Sequence, residues 1–365
     1  MRVTRLLIAV AAVGTAASLI LTAAPAQAHA PEPRPAPSPE VLSTAVAAPF
    51  NLEVSGRRVL VADGGLNLVG SVKRDGSLAP VVASAPGTSG VAAAHGRIAY
   101  TTTVGGPPTG PITASGLTII GPGGRTTSAD TLAYETAMNP DAGVHYGVTN
   151  PSACVRDAFE GIGLPVDYTG AIDSHAYSVA AYGHDWIVAD AGANALLRVS
   201  RSGRISTVAV LPAQPATITA QAAAAFGLPD CVVGVTYAFE SVPTDVEVGP
   251  DGQLYVTTLP GGPEDASLGA RGSVYRVDPR SGRTKLVATG LLGATNLALS
   301  RGRIYVTEFF AGRVSVIRNG KVGEFLDLPG AVSIEAGPGG SLYAGTGLAG
   351  PPSVVRIDTA KGWRH

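Results

Sequence analysis

Charge is scarce in this chain of 365 residues: 15% of the side chains are Asp, Glu, Lys or Arg, and the formal net charge is −1. Only four of the 26 basic residues are lysine, and no basic tract occurs. That argues against a nucleic-acid partner, because phosphate binding needs a concentrated basic surface. Cysteine is nearly absent, with two residues and no Cys-x-x-Cys spacing, so there is no zinc signal. Beyond the N-terminal region, no run of 18 uncharged apolar residues is flanked like a stop-transfer helix, so no later membrane span is expected. The G-x-S-x-G, H-E-x-x-H, Rossmann and P-loop patterns are missing from any suitable strand–helix context. Glycine (47) and proline (28) are plentiful, and 45% of residues are hydrophobic. That mixture suits many short strands joined by tight turns around a real core.

The first residues read as an address. Met1 to Arg5 carries two arginines, Leu6 to Leu21 is apolar, and Ala26-Gln27-Ala28 supplies the small residues of a cleavage site. A signal peptide over 1–28 is expected, and with it a secreted protein; a retained anchor is the alternative reading of the same run. Losing Arg2 and Arg5 takes the net charge from −1 to −3. Residues 29–39 hold five prolines and read as an extended linker, so the fold is expected over 40–360. Outside the cytoplasm, Cys154 and Cys231 are expected to form a disulfide rather than two thiols.

A turn glycine followed by an alternating strand recurs at Gly56–Asp63, Gly96–Thr103, Gly183–Asp190, Gly252–Leu259, Gly302–Phe309 and Gly340–Gly347. The glycine spacings are 40, 87, 69, 50 and 38. The short ones match one four-stranded propeller blade, and the long ones match a blade plus an insertion. The expectation is an all-β, six-bladed propeller of four-stranded blades. Its last blade lacks a fourth strand, and Val41–Val46 resembles the outer strand Ile205–Val210. The N-terminal strand is therefore expected to close the ring.

Strands alternate direction within a blade, so the long segments Val104–Gly116, Thr131–Tyr177, Leu211–Thr244 and Leu259–Arg271 share one face. Insertions 131–177 and 211–244 are expected to form a small cap of loops and helical turns, stapled by Cys154–Cys231. Ser152 is a candidate N-cap and Ala220–Phe226 a candidate helix. Long loops retained on one side point to binding there.

Six inner strands line the channel, opening at Asn51, Gly90, Ser178, Asp245, Asn296 and Ser333. Small polar groups at these positions suit a ligand site, or hydrogen bonds that hold the blade tops. Two residues further on, Glu53, Glu247 and Glu335 recur. With Asp245 they could bind calcium or magnesium in the channel; the other reading sets them between blades beside arginines. Asp63, Asp190 and Glu308 end equivalent strands and read as turn-forming. His175, with Asp173 and Asp245, is a candidate polar cluster, and Glu264 and Asp265 offer oxygens on the insertion face.

Several segments then converge on a family. Val-Ala-Asp-Ala-Gly-Ala-Asn at 188–194 matches an NHL-type blade motif. Pro243–Val248, Gly249–Val256, the Leu-Pro-Gly-Gly-Pro-Glu-Asp segment at 259–265 and Gly-Ala-Thr-Asn-Leu-Ala at 293–298 resemble the ScyD/ScyE family, with a TolB-like six-bladed fold. The resemblance implies a secreted bacterial propeller and brings no catalytic residues with it. More distant gluconolactonase- and regucalcin-type propellers use a channel metal, but this chain has Thr244 and Thr295 where their ligands would align. The leading expectation is a monomer that binds a small molecule or protein on the insertion-bearing face, without catalysis. The alternative is a metal-dependent hydrolase or lyase at the channel mouth.

Overall fold

A computed structural model of the protein describes residues 37–106 and 110–359. The expected signal peptide over 1–28, most of the expected proline-rich linker and the residues after 359 lie outside them. Seven four-stranded antiparallel sheets form among the described residues. Six of them follow the repeats. Their inner strands are Pro49–Ser55, Thr88–Ala94, Ala176–Tyr182, Pro243–Val248, Ala294–Ser300 and Ala331–Ala336. Each inner strand packs against the inner strands of its two neighbours, and the sixth packs against the first. The chain is therefore wound into a closed β-propeller ring.

The last sheet of the ring takes its outer strand from the other end of the chain. Pro39–Ser43 pairs antiparallel with Ser353–Ile357, aligning Val41 with Val355. The strand begins at Pro39, one residue earlier than the linker boundary read from the sequence. This pairing completes the sixth four-stranded sheet and covers the edge of Ser353–Ile357, leaving the short strand Pro39–Ser43 as its outer strand.

The hydrophobic core is divided into slabs between adjacent sheets. Trp186, Ile119 and Leu197 pack between sheets two and three, and Val246, Ile187 and Leu254 between three and four. Tyr305, Phe325 and Ile334 fill the space between five and six, and Leu52, Val61 and Val354 the one between six and one. Alternation along each strand feeds one slab from each face, which is why these strands read as apolar on both sides.

Every inner strand carries a register shift near its start. It falls between Pro49 and Asn51, Thr88 and Val91, Ala176 and Ser178, Pro243 and Asp245, Ala294 and Asn296, and Ala331 and Ser333. Such a bulge re-aims the side chain that follows it. It turns Asn51, Ser178, Asp245, Asn296 and Ser333 towards the next blade.

The seventh sheet was not expected. It assembles Asp167–Thr169, His145–Gly147, Thr236–Phe239 and Gln214–Thr217, two strands from each insertion. The cap is thus a sheet with helices, not loops and helical turns alone. Helix α1 (Thr131–Met138) starts directly after blade two and is capped by Asp130, whose side chain accepts from Ala133 N. Helix α2 (Ala153–Gly161) is capped by Ser152, and α3 (Ala220–Ala225) by Thr219. Cys154 and Cys231 are bonded across 77 residues of sequence. Val155, Phe159, Ala222, Val232 and Tyr237 form the cap's own core, joined by Leu268 from the long loop of blade four.

Candidate functional site

The polar residues at the strand openings are occupied in joining the blades. Val91 N donates to Asn51 Oδ1 (3.1 Å) across the first joint. Leu297 N donates to Asp245 Oδ2 (2.9 Å), and Ile334 N to Asn296 Oδ1 (2.7 Å). Ser178 Oγ donates to Asp245 Oδ1, and Ser333 Oγ to Pro49 O (2.6 Å). The remaining joint has glycine at the equivalent place. A Cβ on Gly90 would stand 2.8 Å from both Thr101 Oγ1 and Tyr177 O. Its absence lets the Thr101 hydroxyl donate to Tyr177 O (3.1 Å) instead. All six joints are therefore stitched by a side chain. Of the two readings of these positions, the blade-holding one accounts for every observed bond.

Asp63, Asp190 and Glu308 do similar work one strand out. Asp63 accepts from Ala47 N, Ala48 N and Leu66 N. Asp190 accepts from His175 N, Ala193 N and Ser174 Oγ. Glu308 accepts from Leu292 N and pairs with Arg313 at 2.9 Å. Each ties the incoming connection to the turn beside it. Thr244 and Thr295 also bond within the ring, Thr244 to Ala294 O and Thr295 to Thr307.

Deeper in the bore, Glu53, Glu247 and Glu335 interact with one another and with Asp245. They are not set beside arginines: no basic residue figures among the groups that shape their ionisation. Burial first, and the neighbouring carboxylates second, hold Glu247 well above the ordinary carboxyl range. Burial also raises Asp245, to about 6. A calcium or magnesium ion would need several of these oxygens free and convergent. Glu53 Oε2 already accepts from Ala93 N, and Glu335 Oε1 from Ala336 N. Among the described residues, no three His, Cys, Asp or Glu side chains form a metal-holding group. The raised carboxyls favour their protonated forms, which competes with an ion for the same oxygens.

At the mouth of the bore, on the insertion side, stands an aromatic wall. The Tyr177 ring lies 6.3 Å from Phe50 and 5.5 Å from His175. Burial lifts the Tyr177 hydroxyl to about 12, with Asp245 and Glu264 adding to the shift. Burial also pushes His175 below its ordinary value, against the pull of Asp173. The shift favours the neutral ring of His175 beside Tyr177. The expected triple cluster with Asp245 does not form, because the Asp245 oxygens are engaged by Ser178 and Leu297. Glu264 is exposed, whereas Asp265 accepts from Ser267 N (2.7 Å) and turns its own loop.

Asn194, which ends the NHL-type motif, locks the cap to the ring. Its Nδ2 donates to Asp141 Oδ2 (3.0 Å) in the first insertion, and its Oδ1 accepts from Val242 N (3.0 Å) near the end of the second. Tyr146 Oη adds a second bond to Asp141 Oδ2. The motif signalled a blade turn; its role as a cap anchor needed the three-dimensional arrangement. Phe50 and Tyr177 were missed for the same reason, since they sit one residue before positions chosen for polarity.

No protein-family model and no curated protein matches the sequence. Solved structures do match in shape. The PQQ-bound aldose sugar dehydrogenase from Streptomyces coelicolor aligns over 89% of this chain and 99% of its own, at 12% identity and a TM-score of 0.52. A gluconolactonase from Xanthomonas campestris aligns over 88% of this chain and 90% of its own, at 12% identity and a TM-score of 0.51. These likenesses show the β-propeller fold. Two different chemistries on one scaffold also show why the fold alone assigns no reaction.

Proposed function

We propose that the protein is a secreted ligand-binding β-propeller that works through its insertion-bearing face and has no catalytic activity of its own. One observation carries this reading. Both insertions and the blade-four loop are welded into a single module beside the bore, while the polar groups of the strand openings are consumed by the joints. A rigid module next to an aromatic mouth suits recognition. The ligand contacts assigned to the mouth are Phe50, Tyr177, His175 and Glu264. Export rests on segment 1–28, and kinship with the ScyD/ScyE family on the motifs at 188–194, 243–265 and 293–298.

A second reading has its own support. Asp245, Glu247, Glu335 and Glu53 gather in one bore without a basic partner, and such carboxylates can serve acid–base or metal-assisted hydrolysis. One experiment separates the two. The mature protein is assayed for hydrolysis of D-glucono-1,5-lactone with calcium, with magnesium and with EDTA. In parallel, thermal shift is measured against a fixed panel of sugars and aromatic acids. The binding reading expects a stabilising panel member lost in Tyr177→Ala, and no turnover. Turnover that disappears in Glu247→Gln, or a stoichiometric ion retained through purification, overturns it in favour of the enzyme.

A further inference from the structure

The cap holds a cavity that the channel does not explain. Its volume is about 260 Å³, and it lies between α2, α3, the strand Thr236–Phe239 and the long loop of blade four. Phe159, Ala222, Tyr237 and Phe239 form its inner surface. Ile162, Leu164 and Phe226 line it too, and they are 40%, 41% and 46% exposed, so apolar side chains also meet the solvent at its rim. No charged side chain lines it. Its phenolic group is already engaged, because Tyr237 Oη donates to Pro165 O (2.6 Å).

The cavity is held open by construction. The Cys154–Cys231 bond ties α2 to the turn after α3. The blade-four loop is clamped by Arg271, which donates to Gly261 O (2.9 Å) and Pro263 O (3.1 Å) and stacks over Phe239 at 4.7 Å. Gly262 adopts a φ of +92°, and a Cβ there would stand 2.5 Å from the Phe239 ring. Glycine thus lets that loop close against Phe239 as a wall. The disulfide and this clamp fix the positions of α2, the turn after α3 and the loop around the cavity.

We propose that this cavity is a binding site for a compact uncharged molecule built on an aromatic or alicyclic ring system. At the packing density of protein interiors, ~0.74, it holds roughly 190 Å³ of molecule, the size of two or three fused rings. An unmet charge there would face a costly desolvation, which excludes ionic ligands. A protein partner would need about 800 Å² of matching surface on each side. Three rim side chains do not supply that, whereas they suffice to cover a small guest. This site is separate from the channel mouth and does not depend on the reading given above for it.

The probes are indole and 1-naphthol, titrated by calorimetry and ligand-observed NMR into the oxidised protein, with D-glucose and tryptamine as polar and cationic controls. Affinities in the range of about 10–500 µM are expected for the two neutral ring probes, given ligand-efficiency limits. Neither control should bind here. Ala222→Phe, which fills the cavity, should weaken both probes at least tenfold, and Phe226→Ser, at the rim, severalfold. Phe226→Ser decides the matter if Ala222→Phe does not fold. Tyr177→Ala should leave probe binding unchanged. Absence of binding, unchanged affinity in folded variants, equal binding of tryptamine, or loss of binding in Tyr177→Ala would each overturn the proposal.

Discussion

Glu135 offers the sharpest test of the electrostatics. It is fully buried on α1, with 0% of its surface exposed, and the backbone of Asp173 is its only polar support, short of a well-formed hydrogen bond. Burial raises it to about 8, helped by Asp190, Asp141 and Asp173. In the unfolded chain it returns to about 4.5. The sign follows: below pH 4.5 both states hold the proton and this group costs nothing. Between 4.5 and 8 the unfolded chain releases it while the fold keeps it, so stability falls as pH rises and levels off above 8. The full shift corresponds to roughly 5 kcal/mol, and water penetration reduces that, so about 2–5 kcal/mol is expected. Glu135→Gln copies the protonated shape without the titration. Its melting temperature should match wild type near pH 5 and exceed it at pH 9 by about 4–10 °C, at about 2 °C per kcal/mol for a chain of this size. Differential scanning calorimetry at half-unit pH steps reads the gap directly. The contribution of Asp245, which is not among the charges acting on Glu135, cancels in the difference, whereas Asp190 is coupled to Glu135 and its small change is part of the gap. A gap that does not widen between pH 5 and 9 would show that Glu135 is not buried as described.

Three further outcomes are expected. Removing residues 37–43 should lower the melting temperature of the whole ring, because Ser353–Ile357 loses its only outer partner; an unchanged scan would refute the closure. Replacing Cys154 and Cys231 with serine should cost up to about 4.5 kcal/mol in urea unfolding, from a closed loop of 77 residues. The far-UV circular dichroism of the ring should stay the same, and its collapse would mean the cap is not a separable module. Asp245→Ala removes the acceptor for both Ser178 and Leu297 and should destabilise by about 2–4 kcal/mol. A loss below about 0.5 kcal/mol in chemical denaturation would remove it from the inter-blade joints.

The ring was legible because its signals are local and repeated. Each glycine anchor starts a strand that the structure forms, buried on both faces, and the topology alone put the long loops on one face. The cap was less legible. Its strands His145–Gly147 and Asp167–Thr169 are three residues long, too short for any period to register. Helix α1 was overlooked although Asp130 is a sound cap, since it follows an outer strand with no intervening loop. The polar strand openings were found correctly, but sequence could not tell a ligand group from a joint. That distinction depends on the bulge before each of them, which aims the side chain at the next blade. The cavity was invisible because its lining comes from positions between 159 and 268 with no common spacing.

Closure through Pro39–Ser43 and Ser353–Ile357 also sets a timetable. The strand made first has its partner made last, some three hundred residues later. During synthesis the strand Pro39–Ser43 waits with unpaired backbone groups until Ser353–Ile357 has been made. An unfinished chain that stops before Ser353 can build several blades yet never seal the circle, and it keeps two adhesive edges. Sealing of the ring therefore waits on Ser353–Ile357, so fragments lacking that strand should be far more prone to aggregation and proteolysis than the closed molecule.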